Sequence, residues 1–249
     1  MSLPSVSSAL EERVARALSI GTGLPAPEGE AATAGNEAAA SSLVRWIDLI
    51  ASWNARIDLT AARTDDELVD LMVADALVIA AHVPRGARVV DVGTGAGAPG
   101  LALALLRPDL ALTLVEPLQK RVSFLRNTIG ALLQSEALGA GGRARAPFVE
   151  RGRGEELARR RPAFDVAVSR ATLAPARWLE MGAALTAGAA APEVWVLLAK
   201  EEPPVLPGWE VEADLRYRWP LTSAERRAVR YLRQAPGSTA SPPTVPEVT

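Results

Sequence analysis

The fold of this chain is decided by residues 88–100, which read Arg88-Val89-Val90-Asp91-Val92-Gly93-Thr94-Gly95-Ala96-Gly97-Ala98-Pro99-Gly100. The β-branched valines at the start of this stretch predict a buried strand over 88–92. Four glycines then follow within eight residues, so the backbone must turn tightly and leave room for something to approach it. The apolar run that follows reads as a helix over 99–106, with Pro99 in its first turn. A strand, a glycine-rich loop and a helix N-terminus in this order predict a nucleotide-type binding site.

Two classes of cofactor fit this loop. Residues 95–100 match G-x-G-x-x-G, but in that dinucleotide fingerprint the first glycine directly follows the strand, and here Gly93 does so. The loop is better described as Asp91-x-Gly93-x-Gly95-x-Gly97, which resembles motif I of class I methyltransferases, the enzymes that bind S-adenosylmethionine. Asp91 is a suitable acceptor for the cationic amino group of that cofactor, and the glycines would leave room for its methionyl and ribose parts. A dinucleotide site and a glycine turn without a ligand remain the alternatives.

Composition excludes several kinds of site. The 249 residues are enough for one medium domain with extensions, and an apolar content of 49% supports a core. The net charge of −2 is unlike that of a basic nucleic-acid-binding protein. The absence of cysteine excludes disulfides, thiolate zinc sites and cysteine nucleophiles, and the single histidine, His82, argues against a metal centre or a serine triad. No apolar run reaches the roughly 18 residues of a membrane span and no signal-peptide pattern is present, so we expect a cytoplasmic protein.

Strands and helices alternate along most of the chain. The predicted strands are 88–92, 111–115, 147–149, 164–168 and 194–199, and a closing antiparallel pair covers 209–219 and 228–233. The predicted helices between them are 99–106, 120–129, a helix opening at 153–157, and 174–185. This order predicts an α/β fold, a Rossmann-like, doubly wound and mostly parallel sheet with a C-terminal antiparallel strand pair.

The residues before the first strand are expected to form helices. Val6, Leu10, Val14 and Leu18 have helical spacing, residues 21–40 have the composition of a flexible linker, and a helix over 41–60 ends at the segment that starts with Asn54. Thr64 is the expected cap of a further helix. We therefore expect four segments, in order: a flexible extension over 1–40, a helical lid over 41–84, the S-adenosylmethionine-dependent methyltransferase domain over 85–234 and a disordered tail over 235–249.

Polar side chains follow four of the predicted strands. Asp91, Glu116, Arg170 and Lys200 all stand at predicted carboxyl ends, where doubly wound sheets bind their ligands. Glu116 comes one βαβ step after Gly93, and its carboxylate can accept two hydrogen bonds from ribose hydroxyls. Arg170 and Lys200 could hold phosphate or the edge of a base, and structural pairing with carboxylates is the alternative.

Several short motifs together resemble one known family. They are Trp53-Asn54 with Asp58-Leu59-Thr60, residues 91–100, Arg107-Pro108, Lys120-Arg121-Val122-x-Phe124-Leu125, Arg153-x-Glu155-Glu156, Ser169-Arg170-Ala171, Lys200 and Glu225-Arg226. Over roughly residues 43–233 the chain resembles the bacterial 16S ribosomal RNA guanine-N7 methyltransferases called RsmG or GidB. The Pro-Gly ending of the glycine loop separates this family from most other class I methyltransferases.

This resemblance implies a cofactor, a substrate and a set of site residues. S-adenosylmethionine would be bound by Asp91, Gly93, Thr94, Gly95, Gly97, Pro99, Gly100, Glu116, Gly154 and Glu155. Arg170 and Lys200 would be catalytic, and Arg170, Lys200, Arg226 and Arg227 would bind RNA. The implied partner is 16S ribosomal RNA or the small ribosomal subunit, with the protein as a monomer, no membrane and no metal.

Some positions depart from the family pattern. Leu71-Met72 stand where the family has Arg-His, Ala98 replaces a phenylalanine, Glu201 replaces a glycine and Arg227 replaces a histidine. These departures keep two alternatives open: a methyltransferase for a small molecule or another RNA, and a non-catalytic protein that keeps the cofactor pocket.

The chemistry implied by the resemblance needs no general base. Guanine N7 carries a free lone pair and no proton, so the reaction depends on alignment, and we expect no catalytic role for His82. A local excess of positive charge could contact RNA, with an ordinary charged strand pair as the alternative. The segment carries Arg216, Arg218, Arg226, Arg227, Arg230 and Arg233 against the single acidic residue Glu225.

Overall fold

The computed structural model describes residues 8–20, 32–134, 145–160 and 162–234. The strands in these residues are β1 (Arg88–Val92), β2 (Ala111–Glu116), β3 (Phe148–Arg151), β4 (Val166–Ser169), β5 (Glu193–Leu198), β6 (Trp209–Arg218) and β7 (Glu225–Arg233). The helices are α1 (Ser8–Ile20), α2 (Ala32–Ile57), α3 (Asp65–Ala80), α4 (Gly100–Leu106), α5 (Gln119–Gln134), α6 (Gly154–Arg159) and α7 (Pro175–Thr186).

The strands form one seven-stranded sheet in the order β3-β2-β1-β4-β5-β7-β6. Strands β1 to β5 pair in parallel, whereas β7 is antiparallel to both β5 and β6. The predicted Rossmann-like α/β fold with a closing antiparallel pair is therefore confirmed. Because β1, β2, β4 and β5 run in the same direction, their carboxyl ends meet at one edge of the sheet.

Helices cover both faces of the sheet. Helices α1 to α5 pack on one face in a core that joins Val14 of α1, Trp46 of α2 and Val73 of α3 to Val89 and Leu114 of the sheet. Helices α6 and α7 cover the other face, around a second apolar cluster. The helices expected as a lid thus share their core with the sheet. None of the described helices has both the length and the apolar character needed to cross a membrane.

The predicted start of the helix over 41–60 is wrong. Helix α2 begins at Ala32, so residues 32–40, which were expected in the flexible extension, are helical. Alanine dominates this segment, and alanine has the highest intrinsic helix propensity, which the linker interpretation ignored. The remaining linker residues 21–31, the residues 135–144 and the predicted tail 235–249 lie outside the described residues.

The predicted N-cap of α3 is confirmed. Thr64 Oγ1 accepts a hydrogen bond of 3.1 Å from the backbone N–H of Glu67 at the start of α3. Asn54, in the last turn of α2, fixes the chain that follows the helix. Its Oδ1 accepts hydrogen bonds of 2.7 and 2.8 Å from the N–H groups of Leu59 and Thr60. These local bonds fix how the two helices approach the sheet.

Candidate functional site

Four predicted site residues lie along the carboxyl edge of the sheet. Asp91 is the penultimate residue of β1, Glu116 is the last residue of β2, and Arg170 directly follows β4. Lys200 lies in the loop after β5. The expected convergence is therefore present in the fold, and the environments of the four side chains decide what each can do.

Asp91 supports the glycine loop from beneath. Its Oδ2 accepts hydrogen bonds of 2.6 Å from the Thr94 hydroxyl and 2.9 Å from the backbone N–H of Gly100. The side chain is fully buried, and within the described residues its Oδ1 has no hydrogen-bond partner. Burial raises the pKa of Asp91 to about 6, although the bonds from Thr94 and Gly100 and the charge of Arg170 lower it.

Glu116 also holds the loop. Its Oε2 accepts a hydrogen bond of 3.0 Å from the N–H of Gly95, and its Oε1 accepts one of 2.9 Å from the N–H of Leu118. The residue is only 2% exposed. Each carboxylate oxygen has two lone pairs, so Glu116 keeps acceptor capacity for the ribose hydroxyls expected there.

The glycines of the loop serve two different purposes. A Cβ on Gly95, where φ is +61°, would have no atom nearer than 4.0 Å, so the space above Gly95 is open. The other glycines instead allow close packing within the protein, since an added Cβ would clash with side chains. The side chains it would meet are Thr172 at Gly93, Trp46 and Leu101 at Gly97, Leu114 and Asp91 at Gly100, and Met181 and Val92 at Gly154.

Trp46 holds the loop from the side of α2. Its indole N–H donates a hydrogen bond of 3.0 Å to the carbonyl of Ala96, and its ring lies against Gly97. Pro99 precedes α4 as its N-cap rather than lying in the first turn. Trp46 falls within the predicted helix over 41–60, but the sequence gave no sign that it contacts the loop 50 residues later.

The predicted residues at the start of α6 differ in exposure. Gly154 is buried between Val92 and Met181, whereas Glu155, in the first turn of α6, is exposed. The α6 start follows β3, the strand next to β2, so Glu155 lies on the Glu116 side of the edge. Its role in cofactor binding stays a prediction.

Arg170 is bound to helix α3. Its Nη1 donates to the carbonyl of Leu71 and lies 3.4 Å from Oδ2 of Asp75, a carboxylate that is 4% exposed. This is the carboxylate pairing that the sequence left open as the alternative for Arg170. Asp75 itself was missed as a site residue, because its partners lie far away in the sequence.

A cavity of about 270 Å³ opens beside Arg170, between the end of β5 and the β6–β7 hairpin. Its aromatic lining residues are Trp178, Tyr217 and Trp219, and its charged lining residues are Asp75, Arg170, Glu201 and Arg226. Aromatic walls with a few charged groups are typical of pockets that take a flipped-out nucleobase.

A larger groove of about 620 Å³ shares a wall with this cavity. The cationic residues of the groove are Lys200, Arg216, Arg218, Arg226 and Arg227, and its acidic residues are Glu201, Glu202 and Glu225. Lys200 and Arg216 form no ion pair with any described residue, and the Arg226 guanidinium lies 4.0 Å from the ring centroid of Trp219.

The predicted basic segment does not act as one patch. Arg227 is held by Asp214 at 2.6 and 2.7 Å and by Glu202 at 3.0 Å, and these bonds raise its pKa. Arg230 is directed toward the amino end of β5, away from the groove, where it donates a hydrogen bond of 2.6 Å to the buried Glu193. From the sequence these arginines looked unpaired, because their carboxylate partners lie in other elements.

No group of histidine, cysteine, aspartate and glutamate among the described residues has the arrangement of a metal site. His82 lies after α3, with its ring centroid 5.8 Å from that of Trp195. Partial burial, followed by the charge of Arg230, lowers its pKa, although Glu193 raises it.

Known proteins resemble this chain in sequence. The model of one family, described as GidB, rRNA small subunit methyltransferase G, matches residues 39–186. The ribosomal RNA small subunit methyltransferase G of Methylobacillus flagellatus is 40% identical over 129 residues, which cover 52% of this chain and 57% of that protein. The protein of the same name from Nitrosomonas europaea is 45% identical over 89 residues, or 36% of this chain and 41% of its own length.

This chain spans about half the length of these curated relatives. Among solved structures, M. capricolum TrmK in complex with S-adenosyl-homocysteine is 10% identical, with a TM-score of 0.48. That match covers 66% of this chain and 69% of the other.

Proposed function

This chain belongs to the rRNA small subunit methyltransferase G (GidB) family, and from that premise we propose that it transfers a methyl group from S-adenosylmethionine to N7 of a guanine in 16S ribosomal RNA. The observation that carries this proposal is the loop over 91–100. It has open space at Gly95, while its other glycines are packed against protein side chains. We assign the methyltransferase domain to residues 85–234, with the N-terminal helices packed on it.

The residues of the loop fit the proposed cofactor. The open space at Gly95 admits a ligand close to the backbone, and the buried, unpartnered Oδ1 of Asp91 is a free acceptor beneath the loop. Glu116 would hold the ribose hydroxyls, and the backbone of Gly93 to Gly97 would shape the rest of the site. When bound, S-adenosylmethionine supplies an electrophilic methyl group on a sulfonium.

The protein's own contribution is alignment. The N7 lone pair of guanine forms the new bond to the methyl carbon while the carbon–sulfur bond breaks, and its electron pair stays on sulfur. No proton moves, so no base is needed, in agreement with the position of His82 away from the carboxyl edge. The cavity beside Arg170 would hold the base, with Arg170 donating to its O6. Holding the two reactants in line can account for most of the acceleration.

The groove beside the cavity is the proposed contact for RNA. Lys200, Arg216 and Arg226 line it and form no ion pair with the described residues, so their charges are available to phosphate. Arg226, whose guanidinium carbon lies 4.0 Å from the Trp219 ring centroid, also has a planar group on which a base can stack. Arg227 is proposed to support this wall through Asp214 rather than to bind RNA by itself.

The direct test is mass spectrometry of 16S ribosomal RNA from a strain that lacks this protein. We expect one 7-methylguanosine to disappear and to return when the wild-type gene is restored. Restoring the Gly95→Val variant should not return it, whereas the Gly86→Val variant, altered in an exposed turn before β1, should. Unchanged ribosomal RNA would contradict the proposal. Loss of a different modification, or cofactor binding without any RNA methylation, would favour the two alternatives left open by the sequence.

A second assay addresses the form of the substrate. We propose that the enzyme acts as a monomer. We also propose that it methylates the RNA within the small ribosomal subunit. Purified protein should then methylate isolated small subunits from the deletion strain faster than the same RNA stripped of protein. Sedimentation of the protein under assay conditions measures its oligomeric state.

A further inference from the structure

Helix α3 carries a buried carboxylate, Asp75, directly behind Arg170. Its Oδ2 lies 3.4 Å from Arg170 Nη1, while its Oδ1 accepts hydrogen bonds of 2.6 Å from the Tyr217 hydroxyl and 3.1 Å from the Trp219 indole. Burial, followed by the charge of Asp75, raises the pKa of Tyr217 far above its usual range, so the tyrosine stays a protonated donor. One carboxylate therefore joins α3, the loop after β4 and the β6–β7 hairpin.

The Arg170 guanidinium has donor groups that the contacts with α3 leave unused. Only Nη1 is bonded, to Leu71 and Asp75, and the Nε and Nη2 groups have no hydrogen-bond partner among the described residues. Arg170 lines the cavity of about 270 Å³. The side chain is thus anchored at one end and can donate to a ligand at the other.

We propose that Asp75 is the positioning residue of the methyl-transfer site, because it fixes the Arg170 guanidinium and neutralises its charge beside the target base. This inference rests on the proposed function. Asp75 does not touch the base or the cofactor in this proposal, and it acts only through Arg170 and the hairpin.

The positive charge of the methylated product makes a neutralised Arg170 favourable. Guanine becomes cationic on N7 methylation, because the N7 lone pair is used in the new bond and no proton leaves. An unpaired guanidinium beside the base would oppose this change, since like charges a few ångströms apart repel strongly in a partly buried site. The Arg170–Asp75 pair has no net charge, so Arg170 can bind the base without this penalty.

Asp75 also sets the position of a second cation. The Trp219 indole that donates to Asp75 is the ring on which Arg226 lies, 4.0 Å from its centroid. A shift of Asp75 would therefore move the wall of the cavity and of the groove together. This explains why a buried acid is placed on a helix outside the nucleotide-binding unit.

The same helix offers a matched control. Asp70 is fully buried, and it holds the same hairpin by accepting hydrogen bonds from the N–H groups of Leu221 and Thr222 and from the Thr222 hydroxyl. No bond joins Asp70 to Arg170. Asp70→Asn and Asp75→Asn thus change equivalent buried acids, and only Asp75→Asn alters the charge around Arg170.

The experiment compares wild type, Asp75→Asn, Asp70→Asn, Arg170→Ala and the Arg170→Ala/Asp75→Asn double variant. Asparagine at 75 keeps an oxygen for Tyr217 and Trp219 and places an amide N–H₂ group toward Arg170. Single-turnover methylation of ribosomal RNA should slow by about tenfold or more in Asp75→Asn. RNA affinity, measured without cofactor at low salt, should be unchanged or tighter by up to about tenfold, because the site gains one positive charge.

The double variant tests whether Asp75 acts through Arg170. Asp75→Asn should slow an Arg170→Ala protein by less than about twofold, since coupled residues are not additive. Equal rate losses in Asp75→Asn and Asp70→Asn, or weaker RNA binding by Asp75→Asn alone, would overturn the inference. A wild-type protein that binds ribosomal RNA but never methylates it would instead overturn the proposed function, and the affinity comparison would still decide the neutralising role of Asp75.

Discussion

The two halves of the carboxyl edge are built in different ways. At the β1–β2 half, Asp91 and Glu116 are buried and bond to the backbone of the loop beside them. At the β4–β5 half, Arg170 is held from helix α3, and Lys200 and Arg226 project into a groove. The first half is preformed by bonds to its own backbone and leaves Asp91 Oδ1 as a buried free acceptor, whereas the second presents cations whose positions depend on distant elements. A preformed half suits a small cofactor of fixed shape, and an open cationic half suits a large anionic substrate.

Gly95→Val tests the preformed half and should have the largest effect. A branched side chain there would fill the open space above the loop, so we expect S-adenosylmethionine binding, measured by calorimetry, to weaken by at least about 100-fold. The control is Gly86→Val, since Gly86 has a similar φ of +71° and open surroundings away from the site. Both variants carry a backbone strain of about 1–2 kcal/mol, and only the first should lose the ligand. Normal binding by Gly95→Val would show that the cofactor site is misplaced.

Asp91→Asn tests the same half through the pH dependence of stability. The pKa of Asp91 is raised from 3.8 to about 6 in the folded protein, so between these values the folded state keeps a proton that the unfolded state has released. Stability therefore falls as pH rises through this window, and the loss is roughly 3 kcal/mol at about 1.4 kcal/mol for each pKa unit. In urea unfolding, the free energy of unfolding of Asp91→Asn relative to wild type should rise by about this amount between pH 4 and 7.

The surface carboxylate Asp109 should give the opposite dependence of stability on pH. The hydrogen bond from Arg107, partly offset by burial, lowers the pKa of Asp109 to about 2. Its contribution is complete above the unfolded pKa and is lost as pH falls toward 2. The excess in free energy of unfolding of wild type over Asp109→Asn should therefore shrink on acidification. If acidification instead stabilised wild type relative to both Asp109→Asn and Asp91→Asn, the distinction between the two acids would be contradicted.

The contrast between the halves also explains what the sequence could predict. The partners of Asp91 lie 3 and 9 residues away and those of Glu116 lie 21 and 2 residues away, so one local pattern of strands, loop and helix contains them. Asp75 meets Arg170, Tyr217 and Trp219 at separations of 95, 142 and 144 residues. No local periodicity encodes such pairs, because they arise only when α3 and the hairpin pack on the sheet. For the same reason the sequence placed Arg170 correctly at a strand end and could not choose its partner.

Reversing the charges of Lys200 and Arg226 to glutamate tests the open half. Both side chains line the groove, so RNA affinity should fall by about tenfold. The slope of the logarithm of affinity against the logarithm of salt concentration should become shallower by about 0.7 to 0.9 for each lost phosphate contact. Cofactor affinity should not change. Arg233→Glu, at the far end of β7, is the control and should leave the slope as it is. Arg230 is unsuitable for this comparison because its reversal would leave the buried Glu193 without its partner.

His82→Ala should have the smallest effect, and it tests whether either half uses a base. His82 lies beside Trp195 and Arg230, toward the opposite edge of the sheet, and its pKa is lowered by burial and then by Arg230. We expect single-turnover methylation to change by less than about twofold, with no titration of the wild-type rate near pH 6.5. The histidine should matter only for stability. Because its folded pKa is below the unfolded value, wild type loses stability as pH falls below about 6.5, and the variant should lack this loss. A large rate loss in His82→Ala would show that a proton is removed during the reaction, and guanine N7 would then be the wrong target atom.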